Sequence, residues 1–548
     1  VAIRLKLAGF DDFTLIERGE RLGGTWRDND YPGAACDVRS HLYSFSFAPH
    51  PGWSRAFAPQ AEILAYLERC ADAYGLRPHL ELGVEVRSAR YDEASGLWSV
   101  ATGDGRVLRA RWLVAGCGGL SRPSLPALEG LADFGGPVFH SARWRHDVPL
   151  EGKRVAVVGT GASAIQIVPA LAPKAARLAL FQRTPPWVLP KADAAIGPGA
   201  RALFGALPLA QRLARLAIYA RNELVATGFV GHTRLLPLVE RMARRHLAAS
   251  VADPALRAKL TPDYRLGCKR VLISDDYYAA LARPNVELIT APVAALRPGA
   301  VVDAEGREWP ADAVVFATGF QAAEAAPPFE VRGRGGADLA EAWRDGPEAF
   351  LGTTVAGFPN FFLIVGPNTG LGHSSMVLMI EAQAQYVASA IETMRARGLK
   401  AVEVRRGAQD AYNRGLQRRL AGTVWARGGC TSWYQTRAGK NTTLWPGYTF
   451  EFRRRTRRFD PRDYELEPLG PARERGVKAG APAAASAPGL AAPGGRGGDA
   501  VARPRRRCPR YQRTRARRRA PPSFPSSSTT QTSSPAKAGV ASRAAPSP

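Results

Sequence analysis

The segment RVAVVGTGASAIQ (154–166) carries the residues and spacing to hold a pyrophosphate. Val155–Val158 reads as a buried strand, and Gly159-x-Gly161-x-x-Ala164 then opens a helix through Ile165–Leu171. Free N–H groups and the helix dipole at such an N-terminus favour an anion. Thr160, Ser163 and Gln166 belong to the same loop and first turn, and are counted among the candidate cofactor contacts. A lone G-x-G-x-x-A is weak evidence, but between a strand and a helix it is a dinucleotide signature. The next strand is read over RLALFQRTPPWVLP (177–190), which carries Gln182-Arg183-Thr184 where an acid would hold a free ribose 2′-hydroxyl. Arginine there suits a 2′-phosphate, so Arg183 and Thr184 favour NADP over NAD, against the plainer reading of a solvated arginine at a strand end.

A second, less complete signature opens the chain. Residues 1–9 read as the end of a helix, and Phe13–Ile16 as a short apolar strand followed by Glu17. In a dinucleotide-binding unit an acid in this place holds the ribose hydroxyls, about 20 residues after the glycine loop. Counting back from Glu17 puts that loop before Val1, so the first strand and its glycines are expected to lie outside this chain. The segment GGTWRDNDYPGAACD (23–37) follows. Its glycines permit close backbone approach to a flat ligand, Trp26 and Tyr31 offer stacking faces, and Pro32-Gly33 forces a turn. Thr25, Trp26, Arg27, Asp28, Asp37 and, beyond them, Tyr43 are candidate ligand contacts, although a surface turn accounts for the composition nearly as well.

The elements that must position these residues fit within 548 residues, of which 45% are hydrophobic and 22% charged. That is enough for two or three domains with real cores. No apolar stretch reaches the ~18–20 residues of a membrane span, and the first residues do not resemble a secretory signal. Six cysteines are scattered without C-x-x-C pairing. They are expected to be reduced thiols in a cytoplasmic protein, with no metal centre. Residues 191–262, rich in Ala, Leu and Arg with helical periodicity, read as a helical insertion that shapes a substrate pocket; their Arg-rich amphipathic face could instead touch a membrane. The formal charge is +27, and residues 471–548 hold 16 Lys and Arg against two acids. That Ala/Pro/Gly/Ser/Arg tail is expected to be disordered. Lys numbers 10 and Arg 65, a bias expected of GC-rich coding DNA, so the tail is not read as a dedicated nucleic-acid binder.

Residues 23–37 match the G-G-x-W-x4-[YF]-P-G-x3-D pattern of the Baeyer–Villiger monooxygenases at every fixed position. FGGPVFHSARW (134–144) matches F-x-G-x3-H-x3-W, with Phe134, Gly136, His140 and Trp144 at the fixed places, the signature such flavin monooxygenases carry between their nucleotide domains. The chain departs from many members in having Arg145 next. VAGCGGLSRPSLP (114–126), VVFATGF (314–320), GPNTGLGHSS (366–375) and CTSWYQTRAGKNTTLWPG (430–447) are similar to later landmarks of the family, so the resemblance covers about residues 1–470.

The resemblance implies an α/β fold of two nested Rossmann-like domains with a helical insertion. FAD would be bound by residues 1–150 and 326–470, and NADP by residues 151–325, with the insertion at 191–262. It implies oxygen insertion beside a ketone carbonyl through a flavin peroxide, giving an ester or lactone. In YRLGCKRVLISDDYY (264–278) it places the catalytic arginine at Arg270, a contact to the NADP 2′-phosphate at Lys269, and the partner carboxylate at Asp37. Trp433 corresponds to a tryptophan that meets the nicotinamide cofactor from a mobile loop, and His140 is expected to be a structural histidine coupling linker and cofactor positions. Three rivals remain at this level: a flavin monooxygenase acting on sulfur or nitrogen, an inactive remnant that binds NADP alone, and a basic-tail binding protein.

Overall fold

The structure, a computed structural model, describes residues 1–231, 233–321 and 326–470. The expected disordered tail lies outside the described residues.

Five parallel strands form the sheet behind the intact glycine loop. Their order is Val286–Ile289, Arg177–Phe181, Arg154–Val158, Ala313–Phe316 and Val138–His140. Both faces of this sheet are covered, which is why its strands read as unbroken apolar runs rather than as alternations. Val155, Val157, Val315 and Ala317 pack on one face with Ile165, Val168 and Leu171 of helix Ala164–Leu171, and with Tyr277 and Leu281 of helix Tyr277–Leu281. Ala156, Val314 and Phe316 face the other way, against Leu296 and Val301 of a three-stranded antiparallel sheet over 293–310.

The strand read over 177–190 is two strands. Arg177–Phe181 lies in the five-stranded sheet, and Val188–Leu189 pairs in parallel with Leu272–Ile273 in a separate two-stranded sheet. Pro185 and Pro186 lie between them; lacking N–H groups, they cannot continue a ladder. This break matters for the site, because it carries the chain out of the nucleotide sheet and over to the segment that holds Lys269 and Arg270.

The other half contributes Leu15–Glu17 paired in parallel with Leu80–Leu82, and Leu113–Ala115 paired in parallel with Phe361–Leu363. An antiparallel sheet over 86–110 packs alongside, extended by Glu330–Arg332. Helix Met376–Arg397 runs through this half and is buried on most of its surface. Ser375 caps its start by accepting from the Val377 N–H, and Gly398, in the left-handed conformation, ends it. Residues 198–259 form helices Pro198–Ala206, Pro208–Val230, Leu236–Ser250 and Pro254–Lys259. Proline stands within the first two positions of each, where its missing N–H costs nothing. Among the described residues no helix is long and apolar enough to cross a membrane.

Candidate active site

The glycine loop is shaped by what crowds it. Gly159 has φ +111°, and a Cβ there would stand 2.5 Å from the Ala317 carbonyl oxygen of the neighbouring chain segment. Gly161, by contrast, has nothing within 4 Å of its would-be Cβ, so its backbone is open to a ligand. Ala164 is fully buried where the helix meets the sheet. Thr160 Oγ1 donates to the Thr184 carbonyl at 3.1 Å, tying the loop to the residues after Arg177–Phe181. Ser163 occupies the N-cap position without a side-chain capping bond, while the Ile165 and Gln166 N–H groups donate to the Gly161 and Ser163 carbonyls, each at 3.1 Å, so the backbone open to an anion is that of the loop at Gly161. Gly159→Ala is expected to lower the thermal midpoint of the protein and abolish retention on an immobilised NADP analogue. A methyl group meets rigid backbone at a φ that disfavours it, and the cost is on the order of 1–3 kcal/mol.

Gln166 faces a different neighbour from the one expected. Its Oε1 accepts from the Tyr31 hydroxyl at 3.0 Å and its Nε2 donates to the Ala35 carbonyl at 2.9 Å. Gly33, at φ +84°, lies so close that a Cβ would stand 2.6 Å from the Gln166 carbonyl. The Y-P-G turn is therefore seated on the helix that opens from the glycine loop, and the two segments share one packing surface.

Upstream of that turn, Glu17 ends its strand with Oε1 accepting from the Gly19 N–H at 2.7 Å and from Arg27 Nη1 at 3.0 Å. Arg27 also pairs with Asp28, its Nε 2.6 Å from Oδ1. Thr25–Asp28 form one short helical turn. Trp26 Nε1 donates to the Tyr43 hydroxyl at 3.1 Å, with the rings edge to face at 5.6 Å. These candidates are thus brought together into one wall, with two acids, one arginine and two aromatic rings.

The centre of the site is an ion pair between residues 233 positions apart. Arg270 Nη2 lies 2.5 Å and Nε 3.2 Å from Asp37 Oδ2. Burial alone would raise the Asp37 carboxyl, but the Arg270 guanidinium outweighs it and holds the group below its ordinary value. Asp37 in turn raises Arg270 against the opposing effect of burial. Both groups therefore stay charged across the neutral range. Tyr434, almost fully buried, also interacts with Arg270 and Asp37, and its hydroxyl is pushed up to about 12 by burial against the pull of Arg270. Tyr434 and Lys191, whose charge helps to hold Asp37 down, were not among the sequence candidates. The only signal for Tyr434 was its place beside Trp433, which is 43% exposed and packs against it at 4.5 Å.

Lys269 projects over the Tyr264 ring at 5.1 Å. Its pKa is lowered first by burial and then by Arg183, a like charge. Two cations from different segments thus repel one another here, with Asp263 opposing the effect on Lys269. The linker residues serve packing. Phe134 is buried against the five-stranded sheet, Trp144 meets Phe139 edge to face at 5.1 Å, and a Cβ on Gly136 would collide with the Asp312 carbonyl. His140 is buried and accepts from the Ala142 N–H through Nδ1 at 3.1 Å, and burial lowers its pKa.

The expectation of six unpaired thiols is overturned. Cys268 and Cys430 form a disulfide, with their Cα atoms 6.1 Å apart. Cys36, Cys70 and Cys117 are free, and Cys508 lies outside the described residues. The bond joins the segment that carries Lys269 and Arg270 to the loop that carries Trp433 and Tyr434. Spacing could not show it, because 162 positions separate the partners and neither stands in a C-x-x-C pattern.

A parallel nucleotide sheet with its glycine loop, inserted between two parts of a second unit and joined to it by a half-buried arginine–carboxylate pair, is the arrangement of an oxidoreductase of the two-dinucleotide-domain class. The flavin-binding monooxygenase-like family model matches residues 9–206. A Baeyer–Villiger monooxygenase of Streptomyces coelicolor is 49% identical over 479 residues, covering 87% of this chain and 92% of the relative. One of Pseudomonas aeruginosa is 50% identical over 467 residues, covering 85% and 89%. Among solved structures, a steroid monooxygenase bound to NADP superposes with a TM-score of 0.76 at 31% identity, covering 85% of this chain and 97% of that one. A cyclohexanone monooxygenase from Rhodococcus does so with 0.75 at 28%, covering 85% and 97%. The chain belongs to the Baeyer–Villiger monooxygenases, and its activity is the flavin-dependent, NADPH-consuming oxygenation that defines them.

Proposed function

We propose that this chain binds FAD and NADPH and converts a ketone into an ester or lactone, with Arg270 as the catalytic cation and Asp37 as its positioning partner. The observation that carries this reading is the Arg270–Asp37 pair, assembled from the Y-P-G-x3-D turn and the C-K-R segment. In balance, ketone, dioxygen, NADPH and a proton give ester, water and NADP⁺.

The residues present fit both cofactors. The open backbone of the loop at Gly161, before the helix, suits a pyrophosphate, and the nearness of Lys269 and Arg183 suits a 2′-phosphate. Thr160, Ala164 and Thr184 shape that cradle. Glu17 suits ribose hydroxyls, and the wall of Thr25, Trp26, Arg27, Asp28 and Tyr43 suits the flavin side. Bound flavin, reduced by NADPH, supplies the activation of dioxygen. The chain supplies a fixed positive charge where negative charge develops on oxygen, in a site poor in water. Arg270 suits this task because it cannot lose its proton, and Asp37 fixes its plane. Tyr434 keeps its proton and offers a neutral donor beside them. Trp433, exposed beside it, suits a contact with the nicotinamide cofactor. In this reading residues 1–150 and 326–470 form the flavin domain, and residues 151–325 the NADP domain with its insertion at 191–262. A cytoplasmic location accords with the demand for NADPH.

The test is to load the chain with FAD, add NADPH in air, and offer a ketone and a sulfide in parallel. Ester or lactone containing one atom of ¹⁸O from labelled dioxygen is expected; sulfoxide formation with no ester would overturn the reading. Lys269→Ala is expected to raise KM for NADPH by roughly 10–100-fold, as for loss of one charge-assisted bond. KM for NADH should be left nearly unchanged, as initial-rate kinetics would show.

A further inference from the structure

Helix Pro208–Val230 is turned inside out. Two of its polar side chains face inward: Gln211 Nε2 donates to the His50 carbonyl at 2.6 Å, and Arg215 Nη1 donates to the carbonyls of His41 at 2.7 Å and Ser44 at 2.9 Å. Its leucines face outward, with Leu209, Leu213, Leu216 and Leu224 exposed by 59%, 58%, 58% and 76%. At helical spacing these four, with Ala217 and Ala220, share one stripe roughly 100° wide. Arg212 flanks the stripe on one side and Arg221 on the other. The neighbouring helical segment continues the pattern, with Leu238 and Met242 exposed by 62% and 47%.

The charge on this region has one sign. Arg201, Arg212, Arg221, Arg234, Arg241 and Arg245 are all exposed, and none has an ion-pair partner among the described residues. The only acids in the stretch 198–250 are Glu223 and Glu240. Glu223 accepts from the Thr449 N–H, and Glu240 is buried against Arg265 and the Leu266 N–H. Scattered exposed leucines are ordinary, but a stripe of them rimmed by unpaired arginines marks an interaction surface.

We propose that this face docks on an anionic lipid bilayer. The leucines enter the boundary between headgroups and acyl chains, while the arginines extend to lipid phosphates. A second copy of the chain fits less well, because a self-complementary contact would set arginine against arginine with no exposed acid to answer it.

The test uses the full chain loaded with FAD, floated with vesicles of phosphatidylcholine alone or with added phosphatidylglycerol. Binding is expected only to the anionic vesicles. The variant L209Q/L213Q/L216Q/L224Q should bind at least about tenfold more weakly, since four side chains lose apolar burial, with an unchanged melting temperature. The basic tail is present in both proteins, so this difference reports the helix face alone. Arg212→Gln with Arg221→Gln should weaken binding and flatten its salt dependence. Equal binding by the leucine variant and the parent would overturn the proposal, because the tail would then suffice. So would absence of parent binding to anionic vesicles, or a dimer in light scattering that the leucine substitutions dissolve.

Discussion

Arg270→Ala is expected to lower the rate of ester formation by roughly 10²–10³-fold, the usual loss when one preorganised donor to a developing oxyanion is removed. The group removed is a guanidinium held at 2.5 Å by Asp37. Arg270→Lys should recover little, because an ammonium lacks the planar fork that grips the carboxylate. The readout separates chemistry from folding and binding. Ester produced per NADPH consumed should collapse, while the affinity for NADP⁺, titrated at equilibrium, should change far less. An alanine variant with unimpaired coupling of NADPH to ester would show that Arg270 is not the catalytic cation.

Asp37→Ala should act through the same pair from the other side. It leaves a half-buried guanidinium without its counter-charge, which costs several kcal/mol in a fully buried setting. The side chains here are 38% and 29% exposed, so solvent screening reduces the cost to about 1–2 kcal/mol. Its pH dependence has a definite sign. Arg270 holds the Asp37 carboxyl below its ordinary value. The stabilisation is therefore fully present above the ordinary carboxyl range and is lost as pH falls through the depressed folded-state value. The stability difference between parent and Asp37→Ala should be constant near neutrality and shrink on acidification, as denaturant melts at several pH values would record. A difference that grew as pH fell would contradict the pairing.

What could be read from the residues alone depended on how local the physics was. The strand and helix around Gly159 and Gly161 were legible because a close backbone approach demands small residues at fixed short spacing. The stretch 177–190 holds a second short strand, Val188–Leu189, that apolar composition on both sides of Pro185-Pro186 does not separate from the first. Gln166 was assigned to a ligand by its place in the motif. Its bonds to Tyr31 and Ala35 depend on a turn 131 positions away, which no local pattern reports. The Arg270–Asp37 pair followed only from family resemblance, since a Lys-Arg dipeptide by itself reads as a solvated surface. The Cys268–Cys430 bond has no local signal and Tyr434 only its place beside Trp433, both being products of tertiary approach.

The seating of the Y-P-G turn on the glycine-loop helix has a thermodynamic consequence. Gln166 grips Tyr31 and Ala35 from the helix that opens after the glycine loop, and Asp37 lies two residues beyond that grip. The two binding events therefore act on one shared element, and linkage makes their influence mutual. Whatever factor NADP occupancy applies to the affinity of a ligand held at Asp37 and Arg270, that ligand applies the same factor to NADP. A ketone that binds more tightly to the NADP-loaded protein must then tighten NADP binding by the same factor, so the affinities for substrate and for nicotinamide cannot be tuned independently through this element.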